Sequence, residues 1–269
     1  GDTEVNANYQ RSFKKKGMLL TASYRYNLSP NDSKYETLIF DGVNFSDAWE
    51  RSKNDASSNE HTFQLDYVNP IKNKHEMEVG AKYIIRLNDS DPFFEEYDYA
   101  TNAWTRNTNR ENTMDYRQDI FSGYASYSYK LNKLGFKAGV RLENTQTDIN
   151  FKTMSDVENN TTDVVPSVAL SYQLGMTKTI RFNYNMRISR PSIWYLNPYR
   201  NESDRNNISY GNPDLDSEES HRFSLSYGSF SQKVNLNASL RYTLTNHAIQ
   251  QYSTIVADNI LETTYGNIG

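Results

Sequence analysis

The chain has 269 residues, a formal net charge of −4 and no cysteine. That length suits one large domain or two small ones; the lack of a basic excess argues against a nucleic-acid surface, and the lack of cysteine excludes disulfides, zinc–thiolate sites and thiol catalysis. Only 36% of the residues are apolar, whereas tyrosine is abundant at 21; strands with one apolar face and long polar connections account for so low an apolar share.

The chain opens on "GDTEVNANYQ", which already reads as a strand over about 4–13, with no signal peptide before it. After the turn "KKKG", Met18, Leu20, Ala22, Tyr24 and Tyr26 alternate with Thr21, Ser23, Arg25 and Asn27. Successive side chains in a strand point to opposite faces, so 17–28 reads as a strand with one apolar side. The same period marks strands at 59–69 (Phe63, Leu65, Tyr67) and, past "PIKNK", at 75–86 (Met77, Val79, Ala81, Tyr83, Ile85). Next come 114–130, the turn "LNKL", 135–149 and 164–174. Past "GMTK", strand 178–189 sets Ile180, Phe182, Tyr184, Met186 and Ile188 against Arg181, Asn183, Asn185 and Arg187. Strands at 219–229 and 233–247 flank "SQK", and a partial further strand lies near 260–265. The ending "ETTYGNIG" is again strand-like, so the chain reads as a single fragment, 1–269, of something longer.

The connections alternate. Lys-bearing short turns are separated by long loops at 29–58, 87–113, 150–163 and 190–218, in each of which Asp and Glu outnumber Lys and Arg. Up-and-down order puts the turns at one end and the loops at the other. With strands near the 9–11 residues that cross a bilayer, this is the pattern of an outer-membrane β-barrel. Aromatics gather beside the short turns (Phe13, Tyr67, Tyr129, Phe136) and again toward the loops (Tyr26, Tyr83, Tyr184, Tyr242), as two interfacial belts require. A soluble antiparallel sheet has the same period, but it needs neither long strands nor the alternation of connections. The predicted fold is therefore all-β: an antiparallel up-and-down meander of about ten strands, forming part of a transmembrane β-barrel.

Motifs of catalysis are missing: there is no nucleophile elbow, dinucleotide fingerprint or phosphate-binding loop. The four histidines lie far apart, and none has a metal-type partner at close spacing, so no metal site, cofactor or enzyme activity is expected. Glu95, Glu96 and Asp98, set among Phe93, Phe94, Tyr97 and Tyr99, read as an exposed acidic loop or as oxygen ligands for a hard cation. Trp49, Trp104 and Trp194 offer rings for stacking on sugars or aromatic ligands, or for ordinary loop packing.

The stretch after strand 178–189 carries the most specific signal. Arg187-Ile188-Ser189-Arg190-Pro191-Ser192 is followed by Trp194, by Leu196-Asn197-Pro198 and by Ile208-Ser209-Tyr210-Gly211-Asn212-Pro213, with Glu218 beyond. These residues resemble the barrel portion of TonB-dependent outer-membrane receptors, specifically the outer-membrane β-barrel family common in Bacteroidetes. The chain departs from the family pattern at Ser217, where proline is usual. Segments 61–86 and 116–145 are also similar to the family.

The resemblance implies a parent protein in the outer membrane that binds and imports a scarce nutrient: a siderophore, vitamin, glycan or peptide. It implies an N-terminal plug and the TonB energy complex as partners, lipid around the wall, and no nucleic acid. The expected ligand- or plug-contacting residues are Arg187, Arg190 and Arg200 for charge, Trp194, Tyr195 and Tyr199 for stacking, and Asn212. A plugless structural or adhesin barrel and a secreted soluble β-sandwich that binds glycans are the alternatives. An isolated piece of a barrel, with open edges and a bare apolar face, is expected to self-associate.

Overall fold

The computed structural model describes residues 1–40, 47–72, 74–152, 155–204, 207–256 and 260–269. Its strands are β1 (Thr3–Ser12), β2 (Leu19–Pro30), β3 (Ser33–Ile39), β4 (Ala48–Lys72), β5 (His75–Asp98), β6 (Ala103–Arg106), β7 (Met114–Leu131) and β8 (Leu134–Phe151). There follow β9 (Val157–Gln173), β10 (Lys178–Ser189), a one-turn helix α1 (Ile193–Leu196), β11 (Asn201–Asp204), β12 (Asn207–Ser209), β13 (Glu218–Phe230), β14 (Asn235–Asn246), β15 (Ile249–Ile255) and β16 (Leu261–Asn267). Ten of them make one open antiparallel path, β1-β2-β4-β5-β7-β8-β9-β10-β13-β14. This is the predicted meander, with every predicted wall strand present.

Register carries one apolar face across the path. Leu142 lies between Gly123 and Val164, Phe182 between Leu170 and Leu225, and Leu225 opposite Leu240. This outer face is bare: Leu240 is 70% exposed, Phe121 57% and Leu142 55%. On β7, β8 and β9 it runs from the short turns to Phe121, Leu142 and Val164, and then stops. Beyond that level the same face carries Asp119, Arg117 and Asp115 on β7 and Asn144, Gln146 and Asp148 on β8. Here the opposite face becomes apolar and buried instead, with Tyr116, Ile120, Ile149, Phe151 and Val157. The apolar side of β7, β8 and β9 thus changes face at one height. A wall in hydrocarbon below and water above is built this way, with lipid against the outer face and a packed interior only above the bilayer.

The loop ends differ from expectation in two respects. Residues 29–58 and 87–113 are largely strand: β4 and β5 run 25 and 24 residues and remain paired from Pro70–Glu76 up to Glu50–Glu96. These polar extensions lack apolar alternation because both faces stand in water, so the period-two signal fades while the ladder continues. The strand expected near 260–265 is β16, but it does not extend the wall. It joins a separate four-stranded sheet, β11-β12-β16-β15, through a parallel pairing with β12 and an antiparallel one with β15.

The change of face gives a paired prediction. Val140→Arg in the lipid-facing band should cost about 2–4 kcal/mol of folding stability. Gln146→Arg, on the same face above the band, should change it by less than about 0.5 kcal/mol. Urea titration of the parent protein refolded into phospholipid vesicles measures both.

Candidate ligand-binding site

Residues 190–204 and 207–217 fold back over the inner face of the wall. Pro191 cannot donate to a ladder, so β10 stops and the chain turns inward. Leu196 and Leu215 are each 1% exposed and pack on Tyr116, Ile149, Phe151 and Val157, with Ile249 and Tyr265 closing the cluster. Polar ties hold the segment in place. The Asn159 side-chain N–H donates to the carbonyls of Pro213 and Leu215, both at 3.0 Å. The Gly211 and Asn212 N–H groups donate to the carbonyls of Asn197 (2.8 Å) and Tyr195 (2.6 Å). Only glycine fits at 211, because a Cβ there would stand 2.5 Å from the Asn197 carbonyl oxygen.

This fold brings some of the expected residues together and separates others. Trp194 (80% exposed) and Tyr199 line a cavity of 280 Å³ at the loop end. The facing wall supplies Asn54, Arg110 and Asn112, and the floor is Met114, Phe151 and Ile193. Tyr195, Arg200 and Asn212 are directed instead to β16. The Tyr195 ring lies 4.7 Å from that of Tyr265, Arg200 pairs with Glu262, and the Asn212 side chain donates to the Tyr265 carbonyl at 3.0 Å. Arg187 stands exposed on the inner face of β10, apart from the cavity.

Arg190 enters an ion network on the inner wall. Its Nε donates to Thr145 Oγ1 at 2.8 Å, and its guanidinium meets Glu143, which also binds Arg141. Burial first, then the like charges of Arg86 and Arg141, lower the Arg190 pKa to about 10, so it stays cationic at neutral pH. Arg86 in turn shares Glu60 with Arg25 and donates to Gln118 at 3.1 Å. Asp163, on the same face, has its pKa pushed up by burial and then by Glu219 and Asp216.

The acidic loop does not gather its carboxylates. Glu95 pairs with Arg51 and Glu96 with Arg110, while Asp98 caps the turn by accepting from Ala100 N–H and Thr101 Oγ1, both at 2.8 Å. Among the described residues no group of acidic or histidine side chains is placed to hold a metal ion. The carboxylate that organises this loop is one that sequence reasoning passed over. Glu111 accepts from Arg106 Nε (2.7 Å) and Nη2 (2.8 Å) and from the Phe94 N–H (3.1 Å). Arg110 stacks 3.6 Å from the Phe94 ring centre. A charge pair five residues apart in an irregular loop carries no sequence signature.

The profile of the outer membrane protein beta-barrel family matches residues 11–269. Comparison with curated proteins finds no match. Among solved structures, the copper transporter OprC superposes with a TM-score of 0.70 at 12% identity, over 99% of this chain and 42% of that one. The ferric-catecholate import receptor Fiu from E. coli K12 gives 0.69 at 12%, over 99% and 42%. The ferripyoverdine receptor of the Pseudomonas aeruginosa outer membrane gives 0.66 at 13%, over 98% and 36%. At these identities the likeness shows the fold, and the chain spans less than half the length of each.

The Glu111 cluster yields a pH prediction. Hydrogen bonds from Arg106 hold its carboxyl below the ordinary value of 4.5, against the opposing effect of burial. A carboxyl depressed in the folded state stabilises the loop above its unfolded pKa, and that contribution is lost as pH falls through the folded one. The protection factor of the Phe94 amide, its exchange rate relative to a free peptide at the same pH, should therefore stay high at pH 6 and drop as pH falls through the folded-state value of Glu111. In Glu111→Gln the protection factor should be lower at pH 6 and nearly independent of pH.

Proposed function

The chain belongs to the outer membrane protein beta-barrel family, and on that premise we propose that it is wall and loop from a receptor that captures a scarce nutrient outside the cell and passes it inward. One observation carries the reading. The 190–217 segment, the loop-end extensions of β4 and β5, and the loop ahead of β7 meet around one cavity above the lipid-facing band. Exposed Trp194 and Tyr199 rings beside three amides and a guanidinium suit a polar organic ligand with a flat or cyclic face. The solved structures that superpose include receptors and a transporter whose names specify ferric-catecholate import, ferripyoverdine and copper. They support uptake as the class of function without fixing the ligand.

In this reading the parent's plug closes the barrel, and the TonB complex supplies the energy to open it. The wall does no covalent chemistry; it binds, positions and excludes. Neither a soluble sandwich nor an adhesin barrel accounts as well for a bare apolar outer face combined with a walled cavity above it.

The test is uptake of labelled siderophore, cobalamin, oligosaccharide and peptide by cells with and without the parent gene. Import of one class should fall to background on deletion and should require the inner-membrane energy complex. Trp194→Ala combined with Tyr199→Ala should lower that uptake about tenfold or more, with the barrel still present in the outer membrane. Unchanged uptake of all four classes on deletion contradicts the reading.

A further inference from the structure

One unit occurs twice on the outer face of the wall. The pattern H-x-F-x-L-x-Y stands at 61–67 on β4 and again at 221–227 on β13. Each time the preceding wall strand sets a tyrosine opposite the phenylalanine: Tyr24 opposite Phe63, and Tyr184 opposite Phe223. The geometry repeats with the sequence. Tyr24 Oη lies 3.0 Å from His61 Nδ1, and Tyr184 Oη lies 3.0 Å from His221 Nδ1. The tyrosine and phenylalanine ring centres are 4.9 Å apart in both units. These side chains alternate with Thr62, Gln64 and Asp66, or with Arg222, Ser224 and Ser226, and so share the lipid-facing side.

Both units lie at the upper edge of the lipid-facing band. In a barrel whose strands are about 4.8 Å apart and tilted by about 35–45°, a line of constant height shifts by roughly one residue per strand. The edge on β7–β9 falls at this rate. Val164 shares a row with Leu142 and Gly123, two residues nearer the turns than Phe121 and two strands away. Two strands the other way, the line rises by two residues, to the row of Asp119 and Ile85, and meets β4 at His61. Four strands onward it falls by four residues, to the row of Ala125. The row of Tyr127, Ala138, Val168 and Tyr184 meets β13 at Phe223, so the row of Ala125, two residues higher, meets it at His221. The two histidines therefore share one height, where hydrocarbon gives way to headgroups.

The units differ at the second ring nitrogen. His221 Nε2 has the Asn246 side-chain nitrogen at 3.4 Å and the Glu219 carboxylate at 3.7 Å. His61 has no carboxylate beside it on this face. Glu60 is turned inward to Arg25 and Arg86, and Asp119, two strands away, is held by Arg117 and Tyr83. Among the described residues His61 Nε2 has no partner, although both neighbouring strands are in place and oppose it with Tyr26 and Ile85. Just below His61 the same face carries an apolar groove of 580 Å³. Small Ala22 and Ala81 leave it open, and Tyr24, Phe63, Tyr83 and Phe121 form its upper row. The groove is continuous with the lipid-facing band, so its occupant is hydrocarbon, and the anion that a bilayer presents at the top of its hydrocarbon is the lipid phosphate. We propose that the groove and His61 together hold one lipid with a phosphate headgroup. An acyl chain fills the groove, Tyr24 Oη donates to Nδ1, and Nε2–H donates to the phosphate. The His221 unit repeats the frame, but its Nε2 faces Glu219, which repels a phosphate. The site lies on the outer face, away from lumen and plug, and does not depend on the import reading.

The test is native mass spectrometry of the full-length parent protein released from detergent micelles. It is titrated with phosphatidylglycerol and with a glucosyl diacylglycerol of the same acyl chains, which lacks the phosphate. The first phosphatidylglycerol should bind about fivefold tighter than the glucolipid, and excess inorganic phosphate should not displace it. His61→Phe, which keeps a ring in the belt, should remove that preference and leave glucolipid binding unchanged. His221→Phe, at the same height in the matching unit, should keep phosphatidylglycerol affinity within about twofold of the parent. Ala22→Leu, which fills the groove, should weaken both lipids alike. Equal affinity of the parent for the two lipids overturns the proposal. So does a preference that survives His61→Phe, an equal loss of both lipids in that variant, or an equal effect of the two histidine variants. Displacement of the lipid by inorganic phosphate also overturns it, since the site would then be one for a free anion.

Discussion

Each wall strand of this protein crosses from hydrocarbon into water, and its ladder runs unbroken through the crossing. In hydrocarbon an unpaired N–H or C=O costs several kcal/mol, so the ladder must be continuous, and only the side chains can respond to the change of solvent. On β7, β8 and β9 they respond by exchanging faces. Below the level of Phe121, Leu142 and Val164 the apolar side chains point out to lipid; above it Tyr116, Ile149 and Val157 point in. This exchange creates the floor on which residues 190–217 pack. The cavity beside Trp194 follows from the same exchange, since a strand with a polar inner face throughout would have given Leu196 and Leu215 nothing to bury against.

The segment that turns inward is also the part of the sequence with the most proline, asparagine and glycine between two clean strands. Its residues divide the work. Pro191 ends the strand, Gly211 lets two backbones approach, and Asn212 and Arg200 fasten the segment to β16. Trp194 and Tyr199 line the cavity at the loop end, and Arg190 joins the segment to the charged wall below. The motif is therefore as much a device for folding a loop into a lumen as a set of contacts.

The wall was legible because lipid imposes period two on every strand it touches, from Met18–Tyr26 to Val234–Tyr242. Where lipid ends, so does the signal: the upper halves of β4 and β5 read as loop, although their ladder is unbroken. The parallel pairing of Asn207–Ser209 with Leu261–Thr263 had no local trace, since it joins segments some fifty residues apart with nothing repeated between them. The site was half legible for a similar reason. Trp194 and Tyr199 lie in a recognisable motif, whereas Asn54, Arg110 and Asn112 come from other loops and meet them only in three dimensions. Glu111 and its bidentate arginine were hidden because a loop has no period to read.

The exchange of faces can be measured directly. The chain has no cysteine, so single cysteines introduced along β8 can each carry a nitroxide in the parent protein reconstituted into phospholipid vesicles. Accessibility to oxygen and to a water-soluble paramagnetic reagent should alternate from 136 to 143, with the even positions in lipid. From 144 to 151 the even positions should become water-accessible and the odd ones accessible to neither. Alternation that keeps one phase along the whole strand, or odd positions in lipid below residue 143, would contradict the account.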